Sequence, residues 1–414
     1  MLAHQGKNGI SILAKTVHYF VMKWLFSVLL SLSPVKAQIF ADVTTTLGNF
    51  TVELYYEESP KTVANFITLA EGTRAWIDPA TGIVQNNSPY YDGIIFHRVI
   101  KGFMNQMGSP QGTGSDGPGY NFPDEVDNNV IHDAPYLLSS ANSGPNTNGS
   151  QIFITVAQTP WLDGLHTVFG KVRAGTDIID TINQVPVNDS KPVDDVSITG
   201  ITIRREGAEA IAFDPFAQNL PEVTQLKSTM AREINEETEI ITNFLKSNQP
   251  PGTSLVLHAS SDLISWSGFE RHLDASSAML NRFKINTAVT DQQFYRSSII
   301  TWPVEATFPS DLTSYEITVN SNVGVFTIHL GDDPATMSFA GVAGGPHLID
   351  LERTIIETDG YGATFLIYTN NLIPIRFRLG ANLPINALPS GRMSGTAFNA
   401  NSTALNGTFT FSTP

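Results

Sequence analysis

The sequence predicts a mainly-β protein: a closed eight-stranded antiparallel barrel with two helices over residues 38–206, followed by one or two β-rich modules over residues 253–414. Two observations carry this. Short segments with alternating apolar and polar residues recur between Gly, Asn, Asp and Pro turns in both regions. Only two stretches of the first region have helical spacing. Eight short strands with two helices suit a closed antiparallel barrel with helical plugs.

The elements follow in chain order. Val43–Leu47 and Phe50–Tyr55 flank Gly48-Asn49, read as a two-residue hairpin turn. Phe50, Val52 and Leu54 alternate with polar neighbours, so one face of that strand is buried. Ser59 is placed to cap a helix that Pro60 opens, Val63, Phe66, Ile67 and Ala70 stripe, and Gly72 stops. Further strands are expected at Ile94–Val99, Phe103–Gln106, Tyr136–Ser139, Gln151–Thr155, Thr167–Val172 and Val196–Ile203, and a second helix around Thr176–Asn183. Residues 207–252, punctuated by Asp214-Pro215, Pro221 and Pro250-Pro251, read as a linker. Within it Val223, Leu226, Met230, Ile234, Ile241 and Leu245 have helix-like spacing, which predicts one linker helix. Beyond residue 253 the texture is β again, at Leu255–Leu257, Tyr315–Val319, Gly324–Leu330, Thr364–Tyr368, Ile373–Leu379 and Gly407–Phe411.

Composition narrows the function. The chain has 39 acidic and 24 basic residues, a net charge of −15, which repels phosphate backbones, so nucleic acid is not an expected partner. There is no cysteine, which excludes disulfides, thiolate nucleophiles and Cys-ligated zinc. None of the nine histidines forms an HExxH or comparable pair, so no structural or catalytic metal is expected. No apolar run beyond Leu32 is long enough for a bilayer-spanning helix. At the N-terminus, Lys23 precedes an apolar stretch, Trp24 to Leu32, followed by Val35-Lys36-Ala37. That is the layout of a secretory signal over residues 1–37, with Met22 an alternative start and cleavage after Ala37. The expected mature chain is exported, to a periplasm or the extracellular space, and carries no membrane span.

The residues with chemical promise cluster between 91 and 170. An arginine, Arg98, emerges from an otherwise apolar strand, where burying it unpaired is costly. The bland reading is a surface ion pair. Its company argues for a site: Phe103, Met104, Phe153, Trp161 and Leu162 supply apolar surface, and Gln106 and Asn142 supply amide dipoles. His166 beside Asp163 suggests an acid–base pair, but no serine or cysteine nucleophile motif accompanies it. Gly112, Gly114 and Gly117 spell G-x-G-x-x-G, yet Pro118-Gly119 follows where a dinucleotide fold needs a helix, so a loop is expected.

Three motifs in this cluster carry a family resemblance. FHRVIKGFMNQ (Phe96–Gln106), ANSGPNTNGSQIFIT (Ala141–Thr155) and WLDGLHTVFG (Trp161–Gly170) resemble, in order and spacing, the signatures of the cyclophilins, peptidyl-prolyl cis–trans isomerases with an eight-stranded barrel. The loop Gly112–Tyr120 resembles the bacterial branch. The resemblance implies that Arg98 takes the place of the catalytic arginine, with Gln106 and Phe103 beside it. It implies that Met104, Phe153 and Leu162 join Phe103 in holding the substrate proline, and that Ala141, Asn142, Trp161 and His166 complete the groove. It further implies proline-containing polypeptides as partners, cyclosporin as a ligand through Trp161, and no cofactor. Met107, Ser109, Ser143 and Ile152 depart from the family's usual residues. Two competing readings are a proline-peptide binding module and an envelope or adhesion protein acting through its C-terminal β region.

Overall fold

The computed structural model describes residues 37–226, 229–235, 240–246, 253–264, 266–272, 285–288, 294–303, 309, 312–331, 335–339, 347–349, 355–359, 361–368, 375–382, 389–397 and 403–413. The expected signal segment lies outside these residues apart from Ala37.

The first region begins with the hairpin β1 (Gln38–Thr45) and β2 (Gly48–Leu54). Its turn is Thr46-Leu47, two residues earlier than expected, because Gly48 already pairs with Thr45. Helix α1 (Pro60–Ala70) follows, then the short pair β3 (Trp76–Ile77) and β4 (Val84–Gln85). Next come β5 (Arg98–Ile100), β6 (Met104–Met107), β7 (Leu137–Ser140), β8 (Ile152–Thr155) and β9 (Val168–Ala174). Helix α2 (Thr176–Gln184), the small pair β10 (Val187–Asn188) and β11 (Lys191–Pro192), and β12 (Ile198–Glu206) complete the region.

Eight of these strands form one sheet in the order β12-β1-β2-β9-β7-β8-β6-β5. The two ends of the order meet through the chain just before β5. Phe96 N donates to Val196 O at 2.9 Å, Ile198 N to Ile94 O at 2.9 Å and Gly93 N to Ile198 O at 2.8 Å. The sheet therefore curls closed, and alternate residues fill its inside. Ile39, Val43, Phe50, Val52, Phe96, Ile154 and Phe169 are all buried there. Helix α1 adds Val63, Phe66 and Ile67, and α2 adds Ile179 and Ile182. Burying each such side chain contributes about 1.5–3 kcal/mol. Residues 94–97 serve this closure instead of forming a regular strand, so Phe96 lies in the core rather than beside Arg98.

The C-terminal region is entirely β among its described elements. Strands β13 (Glu222–Leu226), β14 (Thr229–Asn235), β15 (Ile240–Lys246), β16 (Thr253–Ser260), β17 (Ser267–His272), β18 (Ile285–Ala288) and β19 (Phe294–Thr301) form two sheets, β13-β19-β16-β17 and β14-β15-β18. A nine-stranded sheet follows, built from β20 (Glu316–Ser321), β21 (Gly324–His329), β22 (Thr336–Phe339), β23 (His347–Leu348), β24 (Ile355–Asp359), β25 (Gly362–Ile367), β26 (Ile375–Ala381), β27 (Ser390–Ala397) and β28 (Thr403–Ser412). Its own core includes Val319, Phe326, Phe365, Phe377 and Phe409. No helix among the described residues is long and apolar enough to cross a membrane.

The expected linker helix is absent among the described residues. A five-residue helix α3 (Ala208–Ala212) leads instead into β13, where Val223 pairs with Ile300, and into the β14–β15 hairpin, where Met230 pairs in register with Leu245 and Ile234 with Ile241. A spacing of four is even, so it keeps residues on one face of a strand as well as of a helix, and sheet pairing decided the outcome.

Helix α1 is capped from afar. The Ser59 hydroxyl donates to Val168 O and makes no cap bond. Glu125 takes over: its carboxylate accepts from Lys61 N at 3.0 Å, Thr62 N at 2.8 Å and the Thr62 hydroxyl at 2.8 Å. A carboxylate at a helix N-terminus satisfies orphan donors and opposes the helix dipole. Glu125→Ala is expected to cost about 1–2 kcal/mol, the usual scale of a lost cap, and Glu125→Gln less. An unchanged urea midpoint in Glu125→Ala would show that the cap contributes nothing.

Candidate active site

Strand register assembles the site. Arg98 on β5 pairs with Gln106 on β6, Gln106 pairs with Phe153 on β8, and Phe153 pairs with Ser139 on β7. Directly opposed residues of antiparallel strands point to the same face. The four therefore stand in one row on the outside of the barrel, with Met104 two residues from Gln106 on the same face. The intervening residues point inward: Val99 and Ile154 enter the core, and Asn105 donates to Ile179 O of α2 at 2.9 Å.

Loops wall the row. Phe103 sits in the turn before β6, and its ring centroid lies 5.8 Å from that of Trp161. Trp161 and Leu162 come from a single turn of 3-10 helix, Pro160–Leu162. Trp161 is 62% exposed, an unusual position for the largest aromatic side chain and one suited to gripping a ligand. Phe153 is buried between two imidazoles: His132 stacks flat at 6.1 Å, and His166 meets it edge-on at 5.6 Å. His166 Nδ1 donates to Ser140 O at 3.0 Å. The Asn142 side chain donates to Leu165 O at 2.9 Å and accepts from Gly144 N at 3.3 Å. Ala141 N donates to Gln151 O at 2.9 Å. Of the residues singled out in the sequence, the structure brings Arg98, Gln106 and Phe153 into one row with Met104 on the same face, sets Phe103 against Trp161 and His166 against Phe153, and ties Ala141 to Gln151.

The polar side of the groove is a relay of amides. Arg98 donates to Gln106 Oε1 at 3.1 Å, and Gln106 Nε2 donates to Gln151 Oε1 at 3.0 Å. Gln151 Nε2 in turn donates to the carbonyls of Gly114 and Asp116, both at 2.9 Å. That loop is pinned by Asp116, which accepts from Ser109 Oγ and from Gln111 N. Each amide faces in only one sense, so the relay orients the guanidinium. Among the described residues no carboxylate pairs with Arg98, so the surface ion-pair reading does not hold. An exposed cation with free donors beside an apolar pocket can stabilise a developing lone pair or oxygen charge.

Sequence reasoning missed His132, Ser139 and Gln151. Asp163, adjacent to His166 in sequence, instead accepts from His132 Nδ1 at 2.9 Å, and His132 Nε2 meets the Ser139 hydroxyl at 3.0 Å. The order acid, imidazole, hydroxyl is that of a hydrolytic triad. Here His132 and Ser139 are 1% and 0% exposed, so no substrate carbonyl can reach the hydroxyl. What the chain of bonds does is hold the His132 ring flat against Phe153. A signal for Gln151 was present: it precedes Phe153 by two, hence shares its face.

Burial lowers the pKa of His97, His132 and His166, opposed by Asp116, by Asp163 and by the Ser140 carbonyl respectively. Both ring nitrogens of His97 are buried without a hydrogen-bond partner. The folded protein therefore holds these rings neutral, whereas in the unfolded chain they take up protons near pH 6.5. The unfolded state binds more protons below that value, so stability is full above it and is lost as pH falls. Denaturation midpoints should drop between pH 7.5 and pH 6, and His97→Gln should flatten the slope. A pH-independent midpoint would contradict the neutral, buried assignment.

Comparisons with known proteins place the first region in a family. The family model "Cyclophilin type peptidyl-prolyl cis-trans isomerase/CLD" matches residues 40–203. Peptidyl-prolyl cis-trans isomerase B of Streptomyces anulatus is 45% identical over 170 residues, covering 40% of this chain and 97% of that protein. Peptidyl-prolyl cis-trans isomerase A of Mycobacterium tuberculosis is 46% identical over 167 residues, covering 39% of this chain and 91% of that protein. Among solved structures, a cyclophilin type peptidyl-prolyl cis-trans isomerase of Cryptosporidium parvum, also solved in the presence of the dipeptide Ala-Pro, is 35% identical over 40% of this chain and 98% of its own, with a TM-score of 0.36. Through its N-terminal barrel, the chain belongs to the cyclophilin-type peptidyl-prolyl cis–trans isomerases.

Proposed function

We propose that the groove over β5, β6 and β8 isomerises X–Pro bonds by having Arg98 stabilise the twisted amide while Phe103, Met104, Phe153 and Leu162 hold the proline ring. The observation that carries this reading is the row Arg98–Gln106–Phe153, with the guanidinium oriented by an amide and unpaired with any carboxylate among the described residues.

The reaction needs little else. Resonance of the nitrogen lone pair with the carbonyl sets a barrier of roughly 18–20 kcal/mol. At the top of the barrier the nitrogen is pyramidal and its lone pair is localised. A donor aimed at that lone pair binds the twisted state better than either planar isomer, and only such differential binding accelerates the step. Arg98 is permanently charged and rich in donors. The apolar wall excludes water that would otherwise stabilise the planar amide. Gln106 holds the guanidinium in place, and the main chain at Ala141 and Asn142 fixes one flank of the substrate while the other rotates. The exposed ring of Trp161 closes the groove over the ligand, which also supports cyclosporin binding; that binding should be lost in Trp161→Ala.

The natural clients on this reading are partly unfolded, proline-containing chains outside the cytoplasm. The lysine, apolar stretch and small residues before Gln38 support export. A mature protein recovered with Gln38 as its first residue would agree, and a cytosolic protein retaining Met1 or Met22 would not.

A charge-assisted hydrogen bond contributes roughly 1.5–3 kcal/mol, or about one to two decades in rate. Arg98→Ala should therefore lower kcat/KM on an Ala-Pro peptide by that factor in a protease-coupled assay. Equal rates for the two proteins would leave the barrel as a binding module.

A further inference from the structure

We propose that the C-terminal β region forms part of the substrate site: it walls a chamber that receives the residues flanking the X–Pro bond and limits which flanks fit. This rests on the isomerase reading of the Arg98 groove and extends it to a half of the chain outside the matched residues.

A cavity of about 530 Å³ lies between the barrel and the C-terminal sheets. Its barrel side includes Gln106, Ala141, Asn142 and Gln151, and its far side is made by Val256, His258, Thr364 and Arg378. Gln106 is common to the chamber and the groove, since its amide accepts from Arg98. A polypeptide with its proline in the groove therefore extends into the chamber past Gln106. The volume lies within the roughly 300–1,000 Å³ of pockets that take small ligands. It admits a short extended segment and has bounded room for side chains.

The far wall is built into the fold. Arg378 on β26 is buried, and its guanidinium donates to Pro145 O at 2.8 Å, Asn146 O at 3.4 Å and Thr364 Oγ1 at 3.3 Å. Asn146 answers by donating to Ala381 O at 2.8 Å. Gly380 lies so close to Pro145 that a Cβ there would meet the proline Cβ at 2.5 Å. Arg392 on β27 reaches Asp124 and Gly164 O. Asp124 in turn accepts from Asn142 at 3.2 Å and Asn148 at 2.8 Å. The C-terminal strands thus grip the loop that presents Ala141 and Asn142. On the opposite side, β16 packs His258 against Gly82, where a Cβ would meet the ring at 2.6 Å. His258 is 5% exposed, so this part of the wall is packed into the fold rather than hung on its surface.

A wall at fixed distance discriminates by size, and one methylene too many in a bounded pocket is worth about tenfold or more. The test uses the full-length protein and NMR exchange on three kinds of substrate: a capped Ala-Pro dipeptide, two hexapeptides extending it on one side or the other with Gly and Ser, and the same two hexapeptides with Trp in the extension. The readout is the ratio of kcat/KM for each hexapeptide to that for the dipeptide. In the wild type, Trp in one of the two extensions should lower this ratio by about tenfold. Thr364→Trp, which fills the chamber, should lower the Gly/Ser ratio on that side by a similar factor. Val256→Ala, which enlarges it, should raise the Trp ratio. Ratios unmoved in both variants would overturn the proposal, whatever the variants do to overall rate. Absence of Arg98-dependent turnover on the dipeptide would instead defeat the isomerase reading itself.

Discussion

The pairing register of β5, β6 and β8 is the constraint on which the rest depends. Side chains alternate across a strand, so a slip of one residue would send Arg98, Gln106 and Phe153 into the barrel and expel Val99, Asn105 and Ile154. The apolar interior forbids that exchange, because it would bury a guanidinium in place of valine. Core packing and chemistry are therefore two faces of one specification. The same pairing carries support outward: behind Phe153 stands Ser139, and through it His132 and Asp163, a hydrogen-bonded chain that holds the His132 ring flat against Phe153.

Around that row, orientation comes from hydrogen bonds with a single sense. The relay from the Gly114 and Asp116 carbonyls through Gln151 and Gln106 ends at Arg98. On the proposed reading, restricting the guanidinium before substrate arrives reduces the entropy lost on engaging the rotating bond. The C-terminal sheets apply the same logic to the other flank, where Arg378 and Arg392 bind main-chain and side-chain oxygens of the barrel loops. Both guanidiniums act there as staples between regions, in contrast to Arg98, which is exposed.

Much of this was legible in the sequence where the signal was local. The alternation around Phe50 and the stripe of α1 located their elements, and the motif around Arg98 held two members of the row that β5, β6 and β8 assemble. What was not legible depended on contacts distant in sequence. Nothing near Ser59 announces that Glu125 caps the helix it precedes. The neighbours Asp163 and His166 suggested a pair, while the actual partner, His132, lies on the other side of β7 and β8 in sequence. The spacing of Met230, Ile234, Ile241 and Leu245 satisfied two periodicities, and only the pairing of β14 with β15 chose between them. The chamber walled by Val256, His258, Thr364 and Arg378 has no local signature, since its residues come from three strands spread over the C-terminal half.

The central claim is that Arg98 acts on the rotating bond and not merely on binding. Exchange NMR on an Ala-Pro peptide at saturating protein separates the two, because it measures rotation within the complex. Comparing the wild type with Arg98→Met, which keeps the length and apolar stem of the side chain, the account expects the bound-state exchange rate to fall by about tenfold or more while peptide affinity changes much less. Equal bound-state exchange in the two proteins, with the loss confined to affinity, would contradict it.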